Sequence, residues 1–148
     1  MSNELVDILK KSKLFSGFDS EQIDQVVSHL KPKVITYKSG ERIYKKGDLA
    51  DRCWLIQSGN LTVKRASLRS PFRKMIYNKG SVTGIQGLAD PGSKRAVTMI
   101  AEDKSVLIEI THEGISQLDS KAEIQLWKNV SKLLLRKLAA CLSRESLD

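Results

Sequence analysis

Tyr37-Lys38-Ser39-Gly40-Glu41-Arg42-Ile43-Tyr44-Lys45-Lys46-Gly47-Asp48-Leu49-Ala50-Asp51-Arg52-Cys53-Trp54-Leu55-Ile56-Gln57-Ser58-Gly59 alternates short runs of strand-forming residues with turns. Glycine sits in each turn, where a left-handed backbone costs it little. The same punctuation continues outward at Asn78-Lys79-Gly80 and Asp90-Pro91-Gly92, so a strand-rich region runs from Val34 to Ile110. Turn signals spaced roughly ten residues apart between short strands mark a mainly β sandwich or barrel. Trp54 and Ile56, then Ser58-Gly59-Asn60, then Leu61 and Val63 predict a tight hairpin. Glu102-Asp103 falls at another hairpin tip, and the last strand is expected from Ser105 to Ile110.

Helical spacing brackets this region. Leu5, Val6, Ile8 and Leu9 predict a helix over residues 2–12, and Phe15, Gly17 and Phe18 form a break. Asp19 or Ser20 caps a second helix carrying Ile23, Val26, Val27 and Leu30, which Lys31-Pro32 ends. Thr111 is expected to cap a short helix holding Ile115 and Leu118. A long helix follows, from about Ser120 to Ser143, in which Trp127, Val130, Leu134, Leu138 and Cys141 step by three or four. Leu126, Leu133, Leu135 and Leu142 broaden that stripe. A face this wide implies two burial surfaces, one on the chain's own barrel and one on a partner, or else one deep groove on the barrel.

The chain has 148 residues, 41% hydrophobic and 28% charged, which is one soluble globular domain with a core of its own. No window approaches the roughly 18 unbroken apolar residues of a membrane span. Met1-Ser2-Asn3-Glu4 opens no secretory signal, so the expected location is cytoplasmic, with Cys53 and Cys141 reduced. The 25 basic and 17 acidic residues give a net charge of +8, which favours anionic partners or serves as a solubilising surface. His29 and His112 have no neighbours at metal-ligand spacing, and no nucleophile elbow, P-loop or HExxH is present. Asp48 and Asp51 read as turn residues. The expectation is therefore no enzyme, no metal and no cofactor.

In its order of a Gly-Glu turn, a Gly-Asp turn, an aspartate three further on and a Ser-Gly turn, the stretch from Tyr37 to Gly59 resembles the cyclic nucleotide-binding domain family. Leu14-Phe15-Ser16-Gly17 resembles that family's N-terminal helical segment, and the likeness runs from about Leu5 to Leu142. It implies an eight-stranded jelly-roll β-barrel (a double-stranded β-helix) with flanking N- and C-terminal α-helices. A single domain over 1–148 is expected, with a helical N-terminus 1–31, a barrel 32–110 and C-terminal helices 111–145.

The resemblance also implies a phosphate-binding cassette. Gly80-Ser81-Val82-Thr83-Gly84-Ile85-Gln86-Gly87-Leu88-Ala89 opens it and Arg95-Ala96-Val97-Thr98 closes it. Arg95 would hold a cyclic phosphate, aided by backbone N–H groups at the start of a short helix. Gly84, Gln86 and Ala96 would line the ligand, with Ala96 leaning the purine preference towards adenine. Gly87 would let the backbone approach the ligand. Ile85 stands where the family carries the glutamate that accepts from the ribose hydroxyl, and it offers no acceptor. Hydrogen bonds to charged groups contribute roughly 1.5–3 kcal/mol net, so binding of cAMP or cGMP should fall roughly tenfold to a hundredfold.

Lys64, Arg65, Arg69, Arg73, Lys74 and Lys79 make a basic segment without an acid, interleaved with Phe72 and Tyr77. It is either a docking patch for an anion or acidic protein face, or a solvated loop. Family members that regulate transcription carry a helix-turn-helix after the long helix, whereas this chain ends at Asp148, so no DNA contact is expected. Three readings stand. The first is a regulatory module with weakened or lost cAMP and cGMP binding. The second is a sensor of a cyclic nucleotide or cyclic dinucleotide through Arg95. The third is a scaffold that docks a protein partner by the basic segment or the long helix, with a homodimer through 120–143 included.

Overall fold

The computed structural model describes residues 3–64 and 76–146. Helix α1, Asn3–Lys11, buries Leu9 and half-buries Leu5, Val6 and Ile8. A 3-10 turn, Lys13–Phe15, follows and drives Leu14 and Phe15 into the core. Gly17, at φ 84°, breaks the chain as expected. Asp19 then starts α2, Ser20–Gln25, with a reciprocal cap: the Gln22 N–H donates to Asp19 Oδ1 at 2.8 Å and the Asp19 N–H to Gln22 Oε1 at 3.0 Å. Beyond Gln25 the helix widens into a π turn, Val26–Leu30, which periodicity did not predict. Lys31, left-handed at φ 44°, ends it before Pro32.

Eight strands follow among the described residues: β1 Lys33–Tyr37, β2 Arg42–Tyr44, β3 Arg52–Ser58, β4 Leu61–Val63, β5 Ile76–Tyr77, β6 Val82–Thr83, β7 Met99–Ala101 and β8 Ser105–Thr111. Helix α3, Gln86–Ala89, lies between β6 and β7, and α4, Ser120–Ser146, closes the chain. The strands form two antiparallel sheets, β1-β8-β3-β6 and β2-β7-β4-β5. This is the jelly roll with flanking helices that was expected, its two sheets packed as a sandwich without closing into a barrel. Strand β3 explains the layering. Trp54 and Ile56 face the second sheet with Leu61, Met99 and Leu107, while Cys53 and Leu55 face the helices with Leu14, Ile23, Leu30, Leu126 and Val130. Alternation along a strand thus feeds two cores. No helix among the described residues is long and apolar enough to cross a membrane.

Three local expectations are corrected. Ser58-Gly59-Asn60 does not close a hairpin, because β3 pairs with β6 and β8 whereas β4 pairs with β5 and β7. The turn is a corner at which the chain changes sheet, and so is Glu102-Asp103, which joins β7 to β8. Asp103 stitches the two corners together, accepting from the Asn60 N–H at 2.8 Å and its side-chain amide at 3.0 Å. Those bonds, not a β3–β4 ladder, satisfy the turn. Thr111 is the last residue of β8, and Gly114 at φ 92° instead leads into the 3-10 turn Ile115–Gln117. The buried face of α4, at Ala122, Leu126 and Val130, packs with Leu14 and Phe15 of the N-terminal helical segment as well as the sheet. The Asn129 amide donates to the Leu14 and Ser16 carbonyls at 2.9 and 2.8 Å.

Gly59 has φ 92°, and a Cβ there would stand 2.6 Å from the Lys104 carbonyl oxygen. Gly59→Ala therefore meets both backbone strain and a backbone clash. We expect it to lower stability by about 2 kcal/mol or more, read as a drop in the urea midpoint.

Candidate functional site

The cassette is positioned by backbone contacts. A Cβ at Gly87 would overlap the Arg52 backbone, so this glycine lets α3 lie directly on β3. Gly84, at φ 76°, approaches the Trp54 ring, and a Cβ there would stand 2.9 Å from it and 3.1 Å from an Arg95 nitrogen. The far end of the cassette is held by the Gly47–Ala50 turn. The Gly47 N–H donates to the Arg95 carbonyl, the Arg95 N–H to the Asp48 carbonyl and the Ala50 N–H to the Ser93 carbonyl, each at 2.8 Å. Asp48 shapes that turn by accepting from the Lys45 N–H at 3.0 Å. Gln86 ties the two ends together, donating to Ser93 Oγ at 2.7 Å and to the Lys94 carbonyl at 2.8 Å.

These constraints bring the Arg95 guanidinium into the interior, where the residue is 4% exposed. It donates to the Gly84 carbonyl at 3.0 Å and to the Arg52 carbonyl at 2.6 Å. It also lies 4.5 Å from the centre of the Tyr44 ring and 5.4 Å from that of Trp54, which stack on each other. No carboxylate pairs with it among the described residues. The carboxylates that share a second cleft with it are engaged elsewhere: Asp48 accepts from the Lys45 N–H at 3.0 Å, Arg52 holds Asp51 and Glu109, each at 2.7 Å, and Trp54 Nε1 donates to Glu109 at 3.3 Å. Hydrogen bonding from Arg52 holds the Asp51 carboxyl below its ordinary range. Burial pulls the Arg95 pKa down, partly opposed by Tyr44 and more distant groups. An arginine nevertheless keeps its charge in a protein.

A cleft of about 360 Å³ opens beside this guanidinium. Gly84, Ile85, Gln86, Arg95 and Ala96 all line it, whereas Gly87 lies against β3 instead. Ile85 is 1% exposed and packs into the core with Cys53, Leu55, Val82 and Leu88. The apolar walls are Val63, Val97 and Met99, and Leu134, Lys137 and Leu138 of α4 form the roof. Among the described lining residues there are two cations, Arg95 and Lys137, and no carboxylate. Of the basic segment, Lys64 and Lys79 are exposed, and Lys79 lines a neighbouring cleft of about 390 Å³. Arg65, Arg69, Arg73 and Lys74 lie outside the described residues.

Lys137 was not singled out by the sequence, although it follows Leu134 by three and precedes Cys141 by four, on the helix face that turns inward. It is half-buried, with its Nζ 5.0 Å from the centre of the Tyr77 ring. Burial lowers its pKa. An unfolded lysine titrates near ~10.4, so between the lowered value and that one the unfolded chain holds the extra proton and stability rises with pH. We expect Lys137→Met to remove this upward contribution, so that its gain in melting temperature over the wild type is largest at neutral pH and shrinks towards pH 10, as followed by thermal denaturation from pH 7 to 10.

Comparison with known proteins agrees with this fold. The sequence profile described as "Cyclic nucleotide-binding domain" matches residues 34–121. The chain is 26% identical over 131 residues to the "Cyclic AMP receptor protein" of Thermus thermophilus, covering 88% of this chain and 59% of that protein's length. A cyclic nucleotide-binding domain from Methylobacillus flagellatus superposes with a TM-score of 0.76 at 20% identity, over 95% of this chain and 80% of that one. The regulatory domain of Toxoplasma gondii PKA with cAMP superposes with a TM-score of 0.67 at 19% identity, over 86% of this chain and 48% of that one. This chain belongs to the cyclic nucleotide-binding domain family.

Proposed function

We propose that the chain is a non-catalytic regulatory module of the cytoplasm. Its cleft takes a phosphate-bearing nucleotide on Arg95, with recognition of cAMP and cGMP weakened by Ile85. The observation that carries this reading is the Arg95 guanidinium: 4% exposed, without a carboxylate among the described residues, and lining a cleft. A buried cation without a counter-ion is costly, and contact with Tyr44 and two carbonyls offsets only part of that cost. An incoming phosphate would supply the missing charge through short charge-assisted hydrogen bonds. The family membership and the cAMP-bound neighbour support a nucleotide as the ligand class.

Ile85 shapes selectivity by what it lacks. A ribose hydroxyl beside it meets a buried hydrocarbon, and Gln86 cannot substitute while its amide is bonded to Ser93 and Lys94. Because α4 roofs the cleft, occupancy is coupled to where that helix lies. A signal results only if the ligand binds two helix arrangements unequally. In a thermal-shift titration with cAMP, cGMP and cyclic dinucleotides, at least one should raise the melting temperature. A ligand at a hundred times its Kd adds about 2.7 kcal/mol. Arg95→Ala should abolish the shift while still melting cooperatively. Equal shifts in variant and wild type would overturn the reading.

A second observation favours self-association through α4. Ile124, Leu135, Leu138 and Leu142 are 58%, 64%, 55% and 56% exposed. They fall on the 124, 128, 131, 135, 138, 142 seam, the alternating four-three spacing of a two-stranded coiled coil, with Lys128 and Ser131 as its polar positions and Leu138 at its border with the cleft roof. A second copy presenting the same seam would cover it. The wild type should sediment as a dimer, and Leu135→Lys with Leu142→Lys as a monomer; a monomeric wild type would remove this part of the proposal.

A further inference from the structure

We propose that Lys137 is a second anion-binding residue of the cleft. The ligand would then be a nucleotide with two phosphate groups, one held by Arg95 of the sandwich and one by Lys137 of α4. This rests on the reading of Arg95 above and narrows its ligand.

The first argument is charge. Arg95 and Lys137 face one cleft whose lining includes no carboxylate among the described residues. Lys137 Nζ has the Tyr77 ring 5.0 Å away, but no hydrogen-bond acceptor and no ion pair among the described residues. A surface-helix lysine ordinarily extends its ammonium into water. Here it turns inward beside Leu134 and Leu138, where burial disfavours its charge. A cyclic mononucleotide carries a single negative charge, and placed on Arg95 it would leave Lys137 unpaired.

The second argument is continuity. The neighbouring cleft of about 390 Å³ shares Tyr77, Ile85 and Lys137 with the first. It adds Lys13, Lys79 and Arg136, and its lining also includes no carboxylate. Lys137 therefore stands between two basic clefts. Each alone is near the small end of the roughly 300–1,000 Å³ typical of ligand sites, and the pair suits a larger, doubly charged molecule. The third argument is Ile85, which lines both clefts and withholds the ribose acceptor. Affinity lost there is recovered by a second charge-assisted contact.

The test is calorimetric titration with cAMP, cyclic di-AMP and adenosine 3′,5′-bisphosphate on the full chain, comparing wild type, Lys137→Gln, Lys137→Arg and Arg95→Ala. Circular dichroism establishes that each variant is folded. The two latter ligands represent the two forms of a doubly phosphorylated nucleotide, and either one suffices. We expect one of them to bind at least tenfold tighter than cAMP. Lys137→Gln should weaken it by about tenfold to a hundredfold, well beyond its effect on cAMP, and Lys137→Arg should recover most of the loss. Unchanged binding in Lys137→Gln, or an equal loss for all three ligands, would overturn the role of Lys137. If Arg95→Ala still abolishes binding in either case, the Arg95 reading survives. Undiminished binding in Arg95→Ala, or no binding by wild type, would sink both.

Discussion

Everything at the site depends on one backbone-on-backbone contact, Gly87 of α3 against Arg52 of β3. Only hydrogen fits between them. With α3 seated there, the Gly84 and Arg52 carbonyls converge from two elements on one guanidinium. Arg52 serves in three ways: its carbonyl accepts from Arg95, its backbone receives α3, and its side chain occupies Asp51 and Glu109. That last role leaves Arg95 without an acid. The positive cleft therefore follows from how neighbouring charges are already paired, more than from the overall charge of +8.

Much of this was legible because the signals are local. Gly40, Gly47, Gly59, Gly80 and Gly92 all adopt the positive φ that their turns demanded, and Asp19 caps α2. The order of turns and the Arg95-Ala96-Val97-Thr98 ending mark two segments that the structure brings together at one cleft. What failed was non-local. Ser58-Gly59-Asn60 has hairpin chemistry, but strand pairing is decided by partners far along the chain, and β8 competes successfully for β3. Gly87 reads in the sequence as a point of close approach, and the structure supplies one such approach, the Arg52 backbone of β3.

Lys137 illustrates a subtler limit. Helical periodicity gives the angle between side chains but not the rotation of the helix about its own axis. That rotation is set by Asn129, whose amide bonds to Leu14 and Ser16, more than a hundred positions earlier in sequence. With Asn129 turned onto the N-terminal segment, Leu134, Lys137 and Leu138 line the cleft whereas Leu135 and Leu142 do not. A polar residue inside an apolar stripe reads as an interruption until the stripe's orientation is known.

The same Asn129 clamp has a mechanical consequence. It divides α4 into an anchored half, with Ala122, Leu126 and Val130 buried, and a free arm that touches the cassette through side chains alone. The free arm from Asn129 to Cys141 is about 18 Å long at 1.5 Å per residue, so a tilt of about 10° at the clamp displaces its tip by roughly 3 Å. Such a geometry is a lever with a fixed fulcrum. It converts sub-ångström adjustments near the pivot into movements large enough to make or break packing at the tip. The gain is a property of helix length, and the same arm carries Leu134, Lys137 and Leu138, so any tilt of it also moves the roof of the cleft.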